Sequence, residues 1–166
     1  GDILKLEQNT NTVTIQHSGN YFETISSALE QAKSGDIILV GHKQDGYNEN
    51  INIPAGVSIR GGYNSITWER NLQTYPSIIN TKEGLNVASG INSVVFMNSN
   101  SSIDGLTIDA KNLDIAIYAQ NVESIDIRNI TITNCDVGIS FDTGSGLIVN
   151  NTISANRNSL IIQNAS

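Results

Sequence analysis

Three aspartates in the second half of the sequence have the residue type and spacing of a cation site. Asp104 and Asp126 each follow an isoleucine, and the interval between them recurs throughout this half of the chain; Asp109 lies shortly after the first of them. If the isoleucines point into a core, Asp104 and Asp126 point outward and stack. Carboxylates about 4.8 Å apart on neighbouring strands repel, so they either bind a cation or have raised pKa values. The pattern predicts a calcium site, because calcium prefers oxygen ligands; a solvated acidic face is the alternative that we favour.

Three aromatic residues form a second candidate site. Phe96 and Tyr118 are separated by the same interval as the two aspartates, and each follows a β-branched residue, so both are expected to point outward and stack. An exposed aromatic column could stack on sugars, contact a subunit or seat a covering loop. The single tryptophan, Trp68, lies in a segment, residues 63–75, that is expected to leave the repeating structure. We expect its ring to pack on the aromatic column or on the rim of the N-terminal cap, as an anchor in preference to a ligand contact.

These spacings belong to an internal repeat of about 22 residues, a period typical of solenoid proteins. Positions that keep this spacing are Val95, Ile117, Ile139 and Ile161; Ile103, Ile125 and Leu147; and Asn112, Asn134 and Asn156. Apolar and polar residues alternate within each repeat, which indicates β-strands. One repeat cannot bury its apolar face alone, but stacked repeats can, with each strand pairing in parallel with its equivalent in the next coil. The sequence therefore predicts an all-β parallel β-helix in which an Asn column forms a ladder of side-chain amides.

The N-terminal part is predicted to contain a capping helix followed by irregular coils. Residues 20–34 show an apolar stripe at helical spacing, with a capping box formed by Asn20 and Glu23 and a stop at Gly35. We predict one domain over 1–166, with irregular first coils over 36–90 and regular coils, each one repeat long, over 91–166. The sequence stops partway through a coil without a capping pattern. We therefore expect a longer parent protein, or self-association through this uncapped coil.

The composition argues against two classes of partner. The net charge is −7 and no basic stripe is present, whereas binding to nucleic acid requires clustered Lys and Arg. No apolar run reaches the roughly 18 residues of a membrane helix, so membrane insertion is not expected.

Several short motifs resemble the pectate-lyase-like superfamily of right-handed parallel β-helix proteins. The motifs are Gly35-Asp36 with Ile38 and Val40, Gly46-Tyr47 with Glu49, Ile51 with Ile53, and Ile59 with Gly61. The resemblance covers roughly residues 20–162 and implies a right-handed solenoid whose coils have the length of the repeat, with an N-terminal capping helix. The segment "GGYNSITWERN" is similar to a stretch of uncharacterised bacterial surface β-helix proteins, which implies an exported protein at the cell surface or outside the cell.

The enzymes of this superfamily are mainly polysaccharide lyases and hydrolases, so the resemblance also implies an enzyme alternative. In that alternative, calcium at Asp104, Asp126 and Asp109 assists the cleavage of an acidic polysaccharide, with Arg128 or Lys111 as the base. The hydrolase motifs are missing, since the chain has neither an Asp-Asp pair nor a Gly-His-Gly turn. We therefore expect a non-catalytic structural or glycan-contacting domain that requires no cofactor, with a polysaccharide as its partner. A calcium-dependent lyase and a self-associating stalk are the alternatives.

Overall fold

The computed structural model describes residues 10–81 and 92–165. In this part of the chain the elements are β1 (Val13–Ile15), β2 (Tyr21–Phe22), α1 (Ile25–Gln31), β3 (Ile37–Gly41), β4 (Ile51–Ile53), β5 (Ser58–Tyr63), β6 (Ser77–Ile79), β7 (Ser93–Met97), β8 (Ser102–Asp104), β9 (Leu106–Arg128), β10 (Thr131–Val149) and β11 (Thr152–Ala165). No helix among the described residues is long and apolar enough to cross a membrane.

Parallel pairing of these strands builds a β-solenoid of about five turns, as the repeat predicted. The chain visits three sheet faces in each turn, which we call faces A, B and C. Face A contains β3, β5, β8 and the ends of β9 and β10. Face B contains β6 and the first residues of β9, β10 and β11. Face C contains β4, β7 and the later segments of β9, β10 and β11.

The corners between faces use residues with a left-handed backbone, most of them asparagine. Asn100, Asn121, Thr143 and Asn164 have φ of 58°, 53°, 61° and 50° at successive corners between faces C and A, and Asn129 and Asn150 occupy corners between faces A and B. Asparagine tolerates this conformation better than other residues that carry a Cβ, because its side chain can hydrogen-bond locally. The abundant Asn residues therefore determine where the strands bend.

The core consists of apolar columns that run along the solenoid. On face C, the predicted spacing is confirmed for Val95, Ile117 and Ile139, which pair in register and are buried. The next member of this column is Leu160 and not the predicted Ile161, because the last coil is one residue shorter. The bridges that join equivalent positions are about 22 residues apart, but the coil length is not constant.

The predicted column of Ile103, Ile125 and Leu147 on face A is wrong. Ile103 pairs with Ile127 and not with Ile125. The difference arises at the corner before face A, where β9 contains two left-handed residues, Asn121 and Ser124. This corner of β9 is two residues longer than the equivalent corner of the preceding coil. This shift changes which outward side chains meet on face A.

The capping helix is present but shorter than predicted. The sequence placed its N-cap at Asn20, whereas Tyr21–Phe22 forms β2, which pairs antiparallel with β1, and α1 begins after Thr24. The Thr24 hydroxyl accepts a hydrogen bond from the backbone N–H of Ser27 at 3.0 Å, so it is the N-cap. Tyr21 and Phe22 pair with Thr14 and Val13 of β1, and this pairing prevails over the local capping pattern.

Glu49 fixes the start of α1 to the first coil. Its two carboxylate oxygens accept hydrogen bonds from the backbone N–H groups of Ile25 at 2.9 Å and Ser26 at 2.8 Å. The first N–H groups of a helix lack partners within the helix, and the positive end of the helix dipole favours a carboxylate there. Ile25 is fully buried, so Glu49 satisfies a donor that water does not reach.

Tyr47 lies inside the first coil, where burial makes its phenol difficult to ionise. The hydroxyl is 2.6 Å from Thr12 Oγ1 and donates to the Gly41 carbonyl at 2.8 Å. Burial raises the pKa of Tyr47 from 10.0 to about 12. In the unfolded chain the phenol ionises first, so the unfolded state gains stability as the pH rises between these two values. The contribution of Tyr47 to folding falls by up to about 1.4 kcal/mol per pH unit in this window.

We expect Tyr47→Phe to reduce the alkaline loss of stability between pH 10 and pH 12. The variant should be less stable than the original chain at neutral pH, because the hydrogen bonds to Thr12 and Gly41 are lost. Urea unfolding at a series of pH values gives both quantities. The same alkaline slope in the two proteins would contradict the assignment to Tyr47.

Candidate functional site

Trp68 packs on the rim of the N-terminal cap. Its ring centroid lies 6.0 Å from that of Tyr21 in β2 and 6.3 Å from that of Tyr63 at the end of β5. Of the two seats that the sequence allowed, the structure has the cap rim and not the Phe96 and Tyr118 column. Trp68 is half-buried and has a left-handed backbone, with φ of 60°. The side chain is therefore anchored on one side and accessible on the other.

The segment that carries Trp68, residues 63–75, connects β5 to β6 and is referred to below as the excursion. Two asparagines organise it. Asn64 Oδ1 accepts hydrogen bonds from the backbone N–H groups of Ile66 and Thr67 at 2.8 and 3.0 Å. Asn71 Oδ1 likewise accepts hydrogen bonds from the backbone N–H groups of Gln73 and Thr74, at 3.1 and 3.0 Å. These side chains replace backbone partners that a surface loop lacks, so the excursion has a defined path.

Arg70 ties the excursion to face A. Its Nε donates to the Gly61 carbonyl at 3.0 Å, and its Nη2 lies 3.0 Å from Asp104 Oδ1 and 3.3 Å from the Asp104 carbonyl. The guanidinium carbon also lies 5.6 Å from the centroid of the Tyr63 ring, within the range of a cation–π contact. One side chain thus connects the loop, the ring beneath Trp68 and the outer face of β8.

Beside Trp68 is an open depression of about 380 Å³, which we call the aromatic platform. Its lining consists of Asn11, Tyr21, Ser65, Ile66 and Trp68. Tyr21 is 53% exposed and Ile66 is 77% exposed. The surface therefore combines ring faces and an aliphatic side chain with neighbouring amide and hydroxyl groups, which is the composition of a site for an amphipathic ligand.

Phe96 and Tyr118 form a separate aromatic pair on the outside of face C. They pair in register on β7 and β9, and their ring centroids are 5.8 Å apart, so the predicted stacking is confirmed. The expectation of an exposed aromatic column is wrong, because Phe96 is only partly exposed and Tyr118 is buried. Tyr118 is buried, and burial together with the charge of Asp142 raises the pKa of its phenol. The structure thus brings together two of the three predicted ligand-binding residues, while Trp68 contacts other aromatic residues at the cap.

The two main aspartates of the predicted calcium site do not stack. The shifted register on face A places Asp104 beside Arg128, and Asp126 beside Ser102. Asp104 Oδ1 also accepts a hydrogen bond from Asn129 Nδ2 at 2.9 Å, in addition to its ion pair with Arg70. The expected repulsion between two stacked carboxylates is therefore replaced by alternating charges along the face.

Asp126 and Asp109 each have their own partners. Asp126 forms an ion pair with Arg128, whose Nε donates to Asp126 Oδ1 at 2.8 Å. Asp109 accepts hydrogen bonds from the backbone N–H of Lys111 at 3.1 Å and from Asn134 Nδ2 at 2.9 Å. Over residues 10–81 and 92–165, no three His, Cys, Asp or Glu side chains lie together as a metal site would require. Calcium binding stays a prediction, without the stacked carboxylates from which it was argued.

The two candidate bases lie at different corners of the solenoid. Arg128 ends the face A segment of β9, and Lys111 occupies a left-handed position after the face B segment. The hydrogen bond to the Asp126 carboxylate, reinforced by its charge, raises the pKa of Arg128. A guanidinium that retains its proton has no lone pair with which to abstract another. The arrangement therefore does not support the base role that the resemblance implied for Arg128.

The asparagines that were predicted to form a ladder of side-chain amides have other partners. Asn134 bonds to Asp109, and Asn156 Nδ2 donates to Asp136 at 3.4 Å, so these two do not bond to each other; the Asn112 side chain lies outside the described part. A chain of polar side chains instead follows the corners between faces A and B. There Asn150 donates to Asn129, which in turn donates to Asp104.

Sequence reasoning missed Tyr21 and Arg70 as parts of the site around Trp68. Tyr21 was assigned to the capping helix, and its exposure follows from the short antiparallel β2 strand. Arg70 lies two residues after Trp68, but its partner Asp104 is 34 residues further along the chain, and the register of face A determines that contact. No short motif in the sequence carries this information.

Comparison with known proteins identifies no relatives. The chain matches no protein-family model, no curated protein and no solved structure. The geometry shows that the chain is a β-solenoid of about five turns with an N-terminal helix.

Proposed function

We propose that this chain is a non-catalytic β-solenoid domain that contacts glycans through the aromatic platform. The observation that carries the proposal is the exposed Tyr21 ring, 6.0 Å from Trp68 and beside an open depression. Sugar rings have apolar C–H faces that pack on aromatic rings, and hydroxyl groups that hydrogen-bond to polar side chains at the edge. Tyr and Trp suit such a surface because each joins an apolar body to a polar tip.

The platform is preorganised, which favours binding. The two asparagine turns fix the path of the excursion, and Arg70 ties it to Asp104 on face A. A ligand that binds a surface of this kind does not have to order a loop, so less of the interaction free energy is spent on conformational entropy. This rigidity distinguishes the platform from an aromatic residue exposed on a flexible segment.

The row of outward positions on face A that begins at Tyr21 leads to a basic side chain, Arg60. Strand register places Tyr21, Thr14, Leu39 and Arg60 at successive outward positions, with steps of about 4.8 Å. Arg60 is exposed, and no ion pair involving it is found among the described residues. Thr14 and Leu39 are buried, so the groups of this row that a glycan can reach are the Tyr21 ring at one end and the Arg60 guanidinium at the other.

The proposed setting is an exported bacterial surface protein. It rests on the resemblance of the Gly46-Tyr47 and Glu49 motif, and of the excursion, to pectate-lyase-like and bacterial surface β-helix proteins. The non-catalytic role is preferred to a lyase because Asp126 is paired with Arg128 and because Asp104 is engaged by Arg70.

We expect Trp68→Ala to weaken the binding of a responding glycan at least tenfold, equivalent to about 1.4 kcal/mol. A glycan array with neutral and acidic sugars identifies the ligand, and titration calorimetry on a responding sugar measures the change. Phe96→Ala, which alters the aromatic pair on face C, is the matched control and should bind as the unmodified protein does. No response on the array would contradict glycan binding and favour a stalk, and equal losses in both variants would contradict the platform as the binding site.

A further inference from the structure

Face A carries an excess of positive charge on a chain that is acidic as a whole. The charged residues at the outward positions of β5, β8 and the face A segment of β9 are Arg60, Asp104, Asp126 and Arg128. Arg70 of the excursion docks on Asp104 and adds a third arginine. Three arginines and two aspartates give this group a net charge of +1, whereas the whole chain has a net charge of −7. Positive charge concentrated on one face of an acidic protein favours an anionic ligand there.

Two of the three arginines already have acidic partners. Arg70 Nη2 lies 3.0 Å from Asp104 Oδ1, and Arg128 Nε donates to Asp126 Oδ1 at 2.8 Å. Arg60 is the neighbour of Asp104 in the strand register, but it is exposed and forms no ion pair within the part of the chain that the structure describes. Of the three guanidinium groups on this face, that of Arg60 therefore remains available to a ligand.

The separation between Arg60 and the aromatic platform determines the size of a ligand that contacts both. Three strand steps lie between Tyr21 and Arg60 in the register of face A. At about 4.8 Å per step, the two backbone positions are about 14 Å apart. An oligosaccharide covers this separation, so one glycan chain can stack on the platform and place an acidic group at Arg60.

We propose that Arg60 binds a carboxylate or sulfate group of an acidic oligosaccharide that also stacks on the aromatic platform, and that it does so without a metal ion. The inference rests on the proposed glycan contact and adds the charge of the ligand to it. A guanidinium presents parallel N–H donors to two oxygens of one acidic group, and such charge-assisted pairs are stronger than neutral hydrogen bonds. Direct recognition by Arg60 takes the place of calcium on this face, where Asp104 and Asp126 do not stack.

An array of uronic-acid, sulfated and neutral oligosaccharides of equal length tests the charge of the ligand. We expect at least one of the two acidic probes to bind more tightly than the neutral probe, and the probe that responds identifies the acidic group. Chelation of divalent cations with EDTA should leave this binding unchanged. Added sodium chloride should weaken it, because salt screens the attraction between exposed charges.

Arg60→Gln tests whether this side chain is responsible. Titration calorimetry with the responding acidic probe and with the neutral probe gives the ratio of their dissociation constants, which measures the preference for the acidic group. Arg60→Gln should lower this preference about tenfold, as expected for the loss of a charge-assisted hydrogen bond. Arg157→Gln is the matched control, because it changes the net charge by the same amount at an exposed arginine of β11, which is not part of face A. This control should keep the preference of the unmodified chain.

The outcomes separate this inference from the proposed function. Equal affinity for the acidic and neutral probes, an unchanged preference in Arg60→Gln, or loss of binding in EDTA would overturn the inference and leave the glycan contact at the platform in place. Equal losses of preference in Arg60→Gln and Arg157→Gln would also overturn it, because they would reflect the net charge alone. Absence of binding to every probe would overturn the proposed function together with the inference.

Discussion

Glu49→Ala is expected to lower the free energy of unfolding by about 3 kcal/mol, as the loss of hydrogen bonds to a charged group at a buried site. The substitution removes the acceptors of the Ile25 and Ser26 backbone N–H groups. Ile25 is fully buried, so its N–H would remain unsatisfied unless α1 moved away from the first coil. Movement of α1 would expose the apolar columns that the helix covers, so both outcomes are costly.

Urea unfolding of Glu49→Ala beside two related variants separates this effect from a general effect of charge. Glu30→Ala removes a carboxylate from the exposed side of the same helix and should change the free energy of unfolding little. Glu49→Gln keeps one acceptor oxygen and should give an intermediate loss. Equal stabilities of Glu49→Ala and Glu30→Ala would show that the carboxylate does not hold the helix in place.

Local patterns in the sequence predicted the fold well because a solenoid repeats local information. The alternation of apolar residues indicated the strands, and the spacing of the repeat predicted the face C column of Val95, Ile117 and Ile139. Each of these contacts joins equivalent positions in adjacent coils, so one period determines many pairings.

The candidate site was harder to predict because it depends on exceptions to the repeat. Two additional residues at the corner that contains Asn121 and Ser124 moved Asp126 away from Asp104 and put Arg128 in its place. This shift converted a predicted calcium site into an alternation of charges. The contact between Arg70 and Asp104 joins a loop to a distant strand, and no periodicity in the sequence specifies it.

The short β2 strand near the capping helix is a second feature that the local sequence pattern did not predict. The pattern from Asn20 to Glu23 fits a capping box, yet Tyr21–Phe22 pairs with β1 and α1 begins later. A local preference for a helix N-terminus is worth about 1 kcal/mol. Pairing with β1 and packing against the first coil can exceed that preference, and neither is visible in a window of a few residues.

Arg70→Met is expected to release the excursion and to destabilise it by about 2 kcal/mol, typical of hydrogen bonds to a charged group. The substitution removes the bonds from Arg70 to the Gly61 carbonyl and to Asp104, while the methionine retains much of the aliphatic volume. Trp68 should then separate from Tyr63 and Tyr21. Because Trp68 is the only tryptophan, its fluorescence reports on this segment alone, and we expect red-shifted emission and greater quenching by acrylamide.

A double-mutant cycle with Asp104→Asn tests whether the ion pair is responsible. The two substitutions remove the same contact, so the double variant should lose less stability than the sum of the single losses. Asp126→Asn is the matched control, because it breaks a different ion pair on face A and should leave the Trp68 emission unchanged. If the excursion must be held in place to bind, Arg70→Met should reduce glycan binding as much as Trp68→Ala does. Wild-type emission and wild-type binding in Arg70→Met would mean that the asparagine turns alone position the platform.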